Sequence, residues 1–380
     1  MFDAFFNEDH ESIREIACDY AKKTLAPLGA EIDRTEQFPM ELVNQMAELG
    51  FLGIKIPERY GGAGMDMRSY VLVMEEIGKK SAVATTFISS ANSLSSAPIL
   101  LSGTEAQKEQ YLPAIASGKY IVAFGLTEPN AGSDAAALLT KAEPDGDSYI
   151  LNGRKCFISH APIATHCIIF AKTNPEKGAK GITTFLVDMK APGVSVGKPE
   201  EKMGQRGCPV GDVILDNVRV HQSDILGNVD MGFVTAMQTL SVGRVGVAAL
   251  ALGLAGEALE LAIRHTKTRV QFGKPLAKQQ AIQFMLAEMA TKLESAKLLV
   301  YHAAWLADNG KDATKEAAMA KYYATEAAKY IIDTSLQLHG GYGYSKEYEI
   351  ERLYRDNRIL TIYEGTTQVQ QMVIAGQVLH

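Results

Sequence analysis

The chain has 380 residues, with 44 acidic against 38 basic side chains for a formal charge of −6, and it is 47 % hydrophobic and 22 % charged. This is ordinary globular usage, which excludes a disordered chain, and the mild acidic balance leaves no basic footprint for nucleic acid. No run reaches the ~18 apolar residues of a membrane span, and the start MFDAFFNEDHE lacks the basic and apolar regions of a secretory signal. The expectation is a cytoplasmic protein of about two to three domains with no membrane or nucleic-acid partner. Cys18, Cys156, Cys167 and Cys208 are far apart, and His160 and His166 lack a third ligand nearby, so neither a disulfide framework nor a metal site is expected.

Three compositional blocks follow one another, helix, sheet, helix. In residues 1–120, Leu42, Met46 and Leu49 recur at helical spacing and Gly50 is placed to end that helix. Gly61, Gly62 and Gly64 mark a loop. Met67 to Gly78 and Ala84 to Leu101 read as further helices, and Thr104 before Glu105 and Gln107 reads as a helix N-terminus. In residues 121–230 the runs Tyr149 to Leu151, Lys155 to Ile158, Cys167 to Ala171, Thr183 to Val187 and Val213 to Leu215 read as strands of a small barrel or sandwich. Asn152-Gly153 signals a hairpin between the first two. In residues 231–380 the stripe Ile282, Met285, Leu286 and Met289 lies in a long helix from about Ala277 to Asp308. Ala313 to Leu338 and Thr366 to Leu379 add further helices, which makes a bundle of about four.

The common catalytic signatures are absent: no phosphate loop, no H-E-x-x-H, no G-x-S-x-G and no G-x-G-x-x-G opening a β-α-β unit. Five segments instead mix polar residues with aromatics or glycine where pure packing wants apolar side chains. They are Phe124-Gly-Leu-Thr-Glu-Pro-Asn-Ala-Gly-Ser-Asp134, Lys155-Cys-Phe-Ile-Ser159, Arg269-Val-Gln-Phe-Gly-Lys-Pro275, Gln337-Leu-His-Gly-Gly341 and Ile362-Tyr-Glu-Gly-Thr-Thr-Gln368. In content, order and spacing, over essentially the whole chain, they resemble the acyl-CoA dehydrogenase family of flavoproteins, and the bacterial short-chain, butyryl-CoA-type members in particular.

The resemblance implies an α+β chain with an N-terminal helical domain, a middle β-barrel or sandwich and a C-terminal four-helix bundle. It implies FAD at a subunit interface of a homotetramer, a short- to medium-chain acyl-CoA substrate and electron-transferring flavoprotein as electron acceptor. The reaction implied is α,β-dehydrogenation to a trans-2-enoyl-CoA, the β-hydride going to flavin N5. Glu364 falls where the family's base stands. A free carboxylate near ~4.3 is too weak a base, so a dry pocket must raise it. Some members carry the base at the position of Gly243, which has no carboxylate here. The enolate oxygen is met in the family by the backbone N–H of the base and a ribityl hydroxyl.

Phe124, Leu126, Thr127, Phe157 and Ser159 match positions along the isoalloxazine, with Phe157 standing where many members carry Trp. Arg269, Phe272, Gln280, Gln337, Gly340, Gly341, Thr366 and Gln368 match positions that reach the pyrophosphate and adenosine, partly from a second subunit. Ser133, Leu240, Ser241, Arg244, Tyr363 and Gly365 match the acyl-CoA side. Two departures stand out: His160 where Asn often follows the hydroxyl residue, and Cys208 where Ser or Thr is usual. The alternatives are an enoyl-CoA reductase running in reverse on the same base and flavin, or a flavin-free structural homologue.

Overall fold

In the computed structural model, which describes residues 4–379, helices flank a central sheet block. The N-terminal helices are α1 (Glu8–Tyr20), α2 (Gly29–Thr35), α3 (Met40–Glu48), α4 (Met67–Gly78), α5 (Ala82–Ser89), α6 (Ser96–Ser102) and α7 (Glu105–Ala116). Caps decide several starts. Asp66 accepts from Ser69 N–H at α4, and Thr104 and Gln107 form a reciprocal capping box at α7. On α3, Leu42, Val43 and Met46 are buried as the spacing requires, but Leu49 is exposed: the helix ends at Glu48, Leu49 is its cap, and Gly50 at φ 76° then turns the chain.

The expected single helix from Ala84 to Leu101 is broken by a π-helical turn at Ser90–Ser95. Asn92 donates to the carbonyls of Ile88 (2.9 Å) and Phe51 (2.7 Å), and Ser93 to that of Ser89 (2.6 Å). These side chains compete with the regular ladder. Such turns recur at functional sites.

The sheet strands are β1 (Val122–Gly125), β2 (Lys141–Asp145), β3 (Ser148–Ser159), β4 (His166–Lys172), β5 (Ile182–Asp188), β6 (Val194–Val196) and β7 (Val210–His221). They form one seven-stranded sheet in the order β1-β4-β2-β3-β7-β6, with β5 against β4. The hairpin expected at Asn152-Gly153 is not there. Both runs belong to the continuous β3, and the pair sits at a register shift against β7, a bulge. Gly153 lies against Thr140, where any Cβ would overlap the threonine, and Asn152 accepts from Asn217 N–H at 2.8 Å. The real turn is one step earlier, at Gly146, between β2 and β3.

The C-terminal block comprises α8 (Gly232–Thr268), the short pair β8 (Val270–Gln271) and β9 (Lys274–Pro275), then α9 (Gln280–Asp308), α10 (Thr314–His339), α11 (Glu349–Asn357) and α12 (Thr367–Leu379). Its 37-residue α8 is apolar and long enough to cross a membrane, but most of that length is buried inside the protein. Small residues from Gly243 to Ala258 let α8 run close to α4 and α10: a Cβ at Gly78 would lie 3.1 Å from Leu250, and Ser335 Oγ donates to Ala258 O at 2.7 Å. The core of the helical blocks is one continuous cluster, and a second, smaller cluster lies within the sheet.

Candidate active site

The turn that leads into α12 carries the densest chemistry. Ile362 and Tyr363 N–H both donate to Ile359 O, after which Glu364 (φ 52°) and Gly365 (φ 93°) both take positive φ. Gly365 adopts this freely, but for a glutamate it is uncommon and held only by its surroundings. Lys321 Nζ donates to Gly365 O at 2.7 Å and Gln370 Nε2 to the same oxygen at 3.0 Å. Thr366 Oγ1 then accepts from Val369 N–H at 3.2 Å and starts α12.

The Glu364 carboxyl lies against α8. A Cβ on Gly243 would overlap Oε2 and stand 3.0 Å from Cδ, so the carboxyl occupies the space that glycine leaves. The carboxyl of Glu364 thus fills the space beside the Gly243 position, where the chain itself has no side chain. Oε2 is enclosed and has no hydrogen-bond partner among the described residues. Burial pushes the carboxyl up to about 7, against the pull of Lys321 and Arg244. Arg244, one position along α8, is buried with Nε likewise unpartnered, and burial lowers its guanidinium despite Glu364. The Tyr70 ring from α4 closes the other side: it is fully buried, its hydroxyl is 3.3 Å from Ser89 Oγ, and its Cζ would lie 3.0 Å from a Cβ at Gly246. The arrangement can hold and move one proton in a water-poor setting, because a carboxyl near 7 is competent as acid and as base.

A second group lines the sheet. Cys156 N–H donates to Thr127 O at 2.9 Å, which ties the segment after β1 to β3 and sets Leu126 and Thr127 beside Phe157 and Ser159. Phe157, at φ 57°, is 67 % exposed, and Phe124 is half-buried. Behind this wall Lys155 is fully buried and paired to Glu128 at 2.7 Å, while Glu128 also accepts from Leu139 N–H (2.6 Å) and Thr140 N–H (3.0 Å).

A third group forms at the far ends of α8 and α10, joined by His265 stacked on His339 at 4.3 Å. Arg269 lies 5.4 Å over the ring of Tyr342, which follows Gln337, Gly340 and Gly341 closely in sequence at the end of α10. Phe272, at the tip between β8 and β9, is 93 % exposed. Gly341 has no neighbour within 4 Å of an added Cβ, so this chain alone does not call for glycine there, whereas Gly340 takes φ 61° and ψ −141°, a conformation that glycine alone adopts freely. Two exposed aromatics, an exposed arginine and open glycines fit a planar, anionic cofactor. Ser133, Gln280 and Gln368 are exposed, Leu240 and Ser241 are half-buried on α8, and Ser241 Oγ donates back to Met237 O.

Tyr70, Lys321, Gln370 and Gly246 escape sequence reading, since each sits inside a helix that reads as core. The two departures turn out to touch: Cys208 Sγ is 3.6 Å from His160 Nε2, and His160 packs on Phe87 at 4.3 Å. Among the described residues no three His, Cys, Asp or Glu side chains gather as a metal site.

The chain matches the family descriptions "Acyl-CoA dehydrogenase, N-terminal domain" over residues 7–119, "middle domain" over 123–218 and "C-terminal domain" over 230–379. It is 58 % identical to a 3-(aryl)acrylate reductase of Clostridium sporogenes, over 99 % of this chain and 100 % of the relative. It is 54 % identical to the caffeyl-CoA reductase-Etf complex subunit CarC of Acetobacterium woodii, over 99 % of each. Butyryl-CoA dehydrogenase of Megasphaera elsdenii superposes with a TM-score of 0.96 at 42 % identity, covering 99 % of both chains.

Proposed function

This chain belongs to the acyl-CoA dehydrogenase family of FAD-dependent oxidoreductases, and on that premise we propose that it reduces a 3-arylacrylyl-CoA at the Cα–Cβ double bond, drawing electrons from electron-transferring flavoprotein. The observation that carries the reading is the Glu364 carboxyl over Gly243, raised to about 7 and unpartnered at Oε2. Near neutral pH about half of it carries a proton, so it can give one to the substrate α-carbon or take one from it. The direction and the aryl group rest on the two relatives named as aryl-acrylate and caffeyl-CoA reductases, and the partner on the Etf complex of the second.

The flavin, when bound, would give a hydride to the β-carbon in its reduced form and take one from it in its oxidised form. The residues of this chain that would hold it are Phe124, Leu126, Thr127, Phe157 and Ser159 along the ring, and Arg269, Phe272, Gln280, Gln337, Gly340, Gly341, Thr366 and Gln368 toward the pyrophosphate and adenosine. Ser133, Leu240, Ser241, Arg244, Tyr363 and Gly365 would meet the acyl-CoA. The Glu364 N–H makes no hydrogen bond within the protein among the described residues, which leaves it free for the thioester oxygen. Tyr70 and Tyr363 keep water from the carboxyl, and the two buried cations steady it when it is charged. Copies of the chain are proposed to assemble as a dimer of dimers.

Dehydrogenation of a short straight-chain acyl-CoA is the second reading, favoured by the fold shared with butyryl-CoA dehydrogenase. It uses the same residues in reverse. An anaerobic titration separates them: the reduced protein should regain its yellow colour with 3-phenylacrylyl-CoA faster than with crotonyl-CoA. The opposite order would favour the short-chain reading, and no reoxidation by either would defeat both.

A further inference from the structure

Lys321 is a charged residue where the helix pattern wants a small apolar one. It falls on the inward stripe of α10 with Ala317, Ala320, Ala324 and Ala328, and it is fully buried. A buried ammonium is rare unless paired, yet the oxygen it binds is a neutral carbonyl, Gly365 O at 2.7 Å. Gln370 Nε2 donates to that oxygen at 3.0 Å and to Glu364 O at 3.3 Å. Two donors therefore pin a segment in which two successive residues take positive φ.

We propose that Lys321 is a positioning residue of the site: its ammonium fixes the Glu364–Gly365 backbone and supplies positive charge that favours the Glu364 carboxylate over the carboxylic acid. This rests on Glu364 as the group that moves the proton. The groups facing Glu364 are Lys321 from α10, Arg244 from α8, Tyr70 from α4 and its neighbour Tyr363. Lys321 in turn faces Glu364, Arg244 and Glu326. Burial pushes both tyrosine hydroxyls up, so they stay neutral. Burial draws the Lys321 ammonium down to about 8 against the pull of Glu364. Arginine does not deprotonate in proteins, so Lys321 is the cation of the two whose charge can be lost in the working range. Losing it has opposite effects on the two directions. Proton abstraction weakens at neutral pH, while proton donation persists to higher pH.

The test is an infrared titration of the Glu364 carboxyl in the flavin-loaded protein, its band being the one absent from Glu364→Gln. Lys321→Gln keeps a donor without the charge, and Lys321→Met removes both. The expected result in both is an upward shift of the Glu364 midpoint by about one pH unit or more, the scale on which a nearby opposite charge acts. The acid limb of proton abstraction should move with it. An unchanged midpoint overturns the proposal; a lysine of purely structural value would lower flavin content or melting temperature without moving it. Where neither variant folds, reciprocity supplies a second measurement. With isotopically labelled lysine nitrogens, the ammonium that titrates near 8 should move to lower pH in Glu364→Gln, and an unmoved resonance overturns the coupling. Full activity in Glu364→Gln would instead refute Glu364 as the proton carrier, which the titration leaves untouched.

Discussion

Replacing Gly243 by alanine isolates the position of the carboxyl from its chemistry. The added Cβ overlaps Glu364 Oε2 and stands 3.0 Å from Cδ. The carboxyl has to retreat by about 1 Å or more to restore ordinary carbon contacts of ~3.5–4.0 Å. The displaced group is the far end of a flexible side chain, so the fold yields easily there, and alanine is the better helix former by roughly 1 kcal/mol in the interior of α8. A misplacement of about 1 Å in a reacting group costs on the order of 10²-fold in rate, equivalent to about 2.7 kcal/mol of barrier. Stopped-flow reoxidation of the reduced flavin by 3-phenylacrylyl-CoA reads the rate, and flavin content with a thermal melt reads the fold. The expected pattern is a rate reduced about 10²-fold with flavin and melting temperature kept. A rate within a few-fold of the parent would refute the placement of the carboxyl against α8, and lost flavin would show that the methyl disturbs more than Glu364.

Glu364→Gln should retain flavin and lose the roughly 10²- to 10⁴-fold that a positioned acid or base contributes, as followed by the same flavin signal. Since Glu364 sits at about 7, proton abstraction should fall away as pH drops through 7 and proton donation as pH rises through it; parallel pH–rate profiles in the two directions check the crossing. Its folded value lies above the unfolded one, so this group disfavours the fold progressively as pH rises from about 4.5 and in full above about 7, and Glu364→Gln should melt higher than the parent at pH 8 with little gain at pH 4. Removing one partner of the buried Lys155–Glu128 pair with Lys155→Met should cost about 3–5 kcal/mol of stability in denaturant titrations, and adding Glu128→Gln should recover part of it.

Local signals were legible from sequence and long-range ones were not. The Thr104–Gln107 box was readable because cap and acceptor lie within one turn. Asn152-Gly153 has the same local preference in a hairpin and in a bulge; what decides is Thr140 and Asn217, distant in sequence. Glu364 was found through its motif, whereas its setting was hidden: Tyr70, Gly246 and Lys321 lie mid-helix, where neither periodicity nor composition says which helix will face them. One signal was present. A lysine on an alanine stripe breaks the pattern that buries α10, and a broken pattern of that kind marks a functional residue. His160 and Cys208 looked like independent departures because contact across 48 positions of chain is invisible without coordinates.

Helix α8 carries Gly243 and Arg244 near its start and is followed at once by Arg269. At ~1.5 Å of rise per residue these points stand roughly 39 Å apart, farther than a single dinucleotide stretches. If the proposed cofactor lies between the Glu364 carboxyl beside Gly243 and an Arg269, that arginine has to come from a second chain. A lesion at Arg269 would then be felt in the neighbour's catalytic centre while a lesion at Glu364 stays in its own. In a cell holding mixed copies, the first kind of damage would spread to centres formed by sound subunits, and the two classes of allele could complement one another when co-expressed.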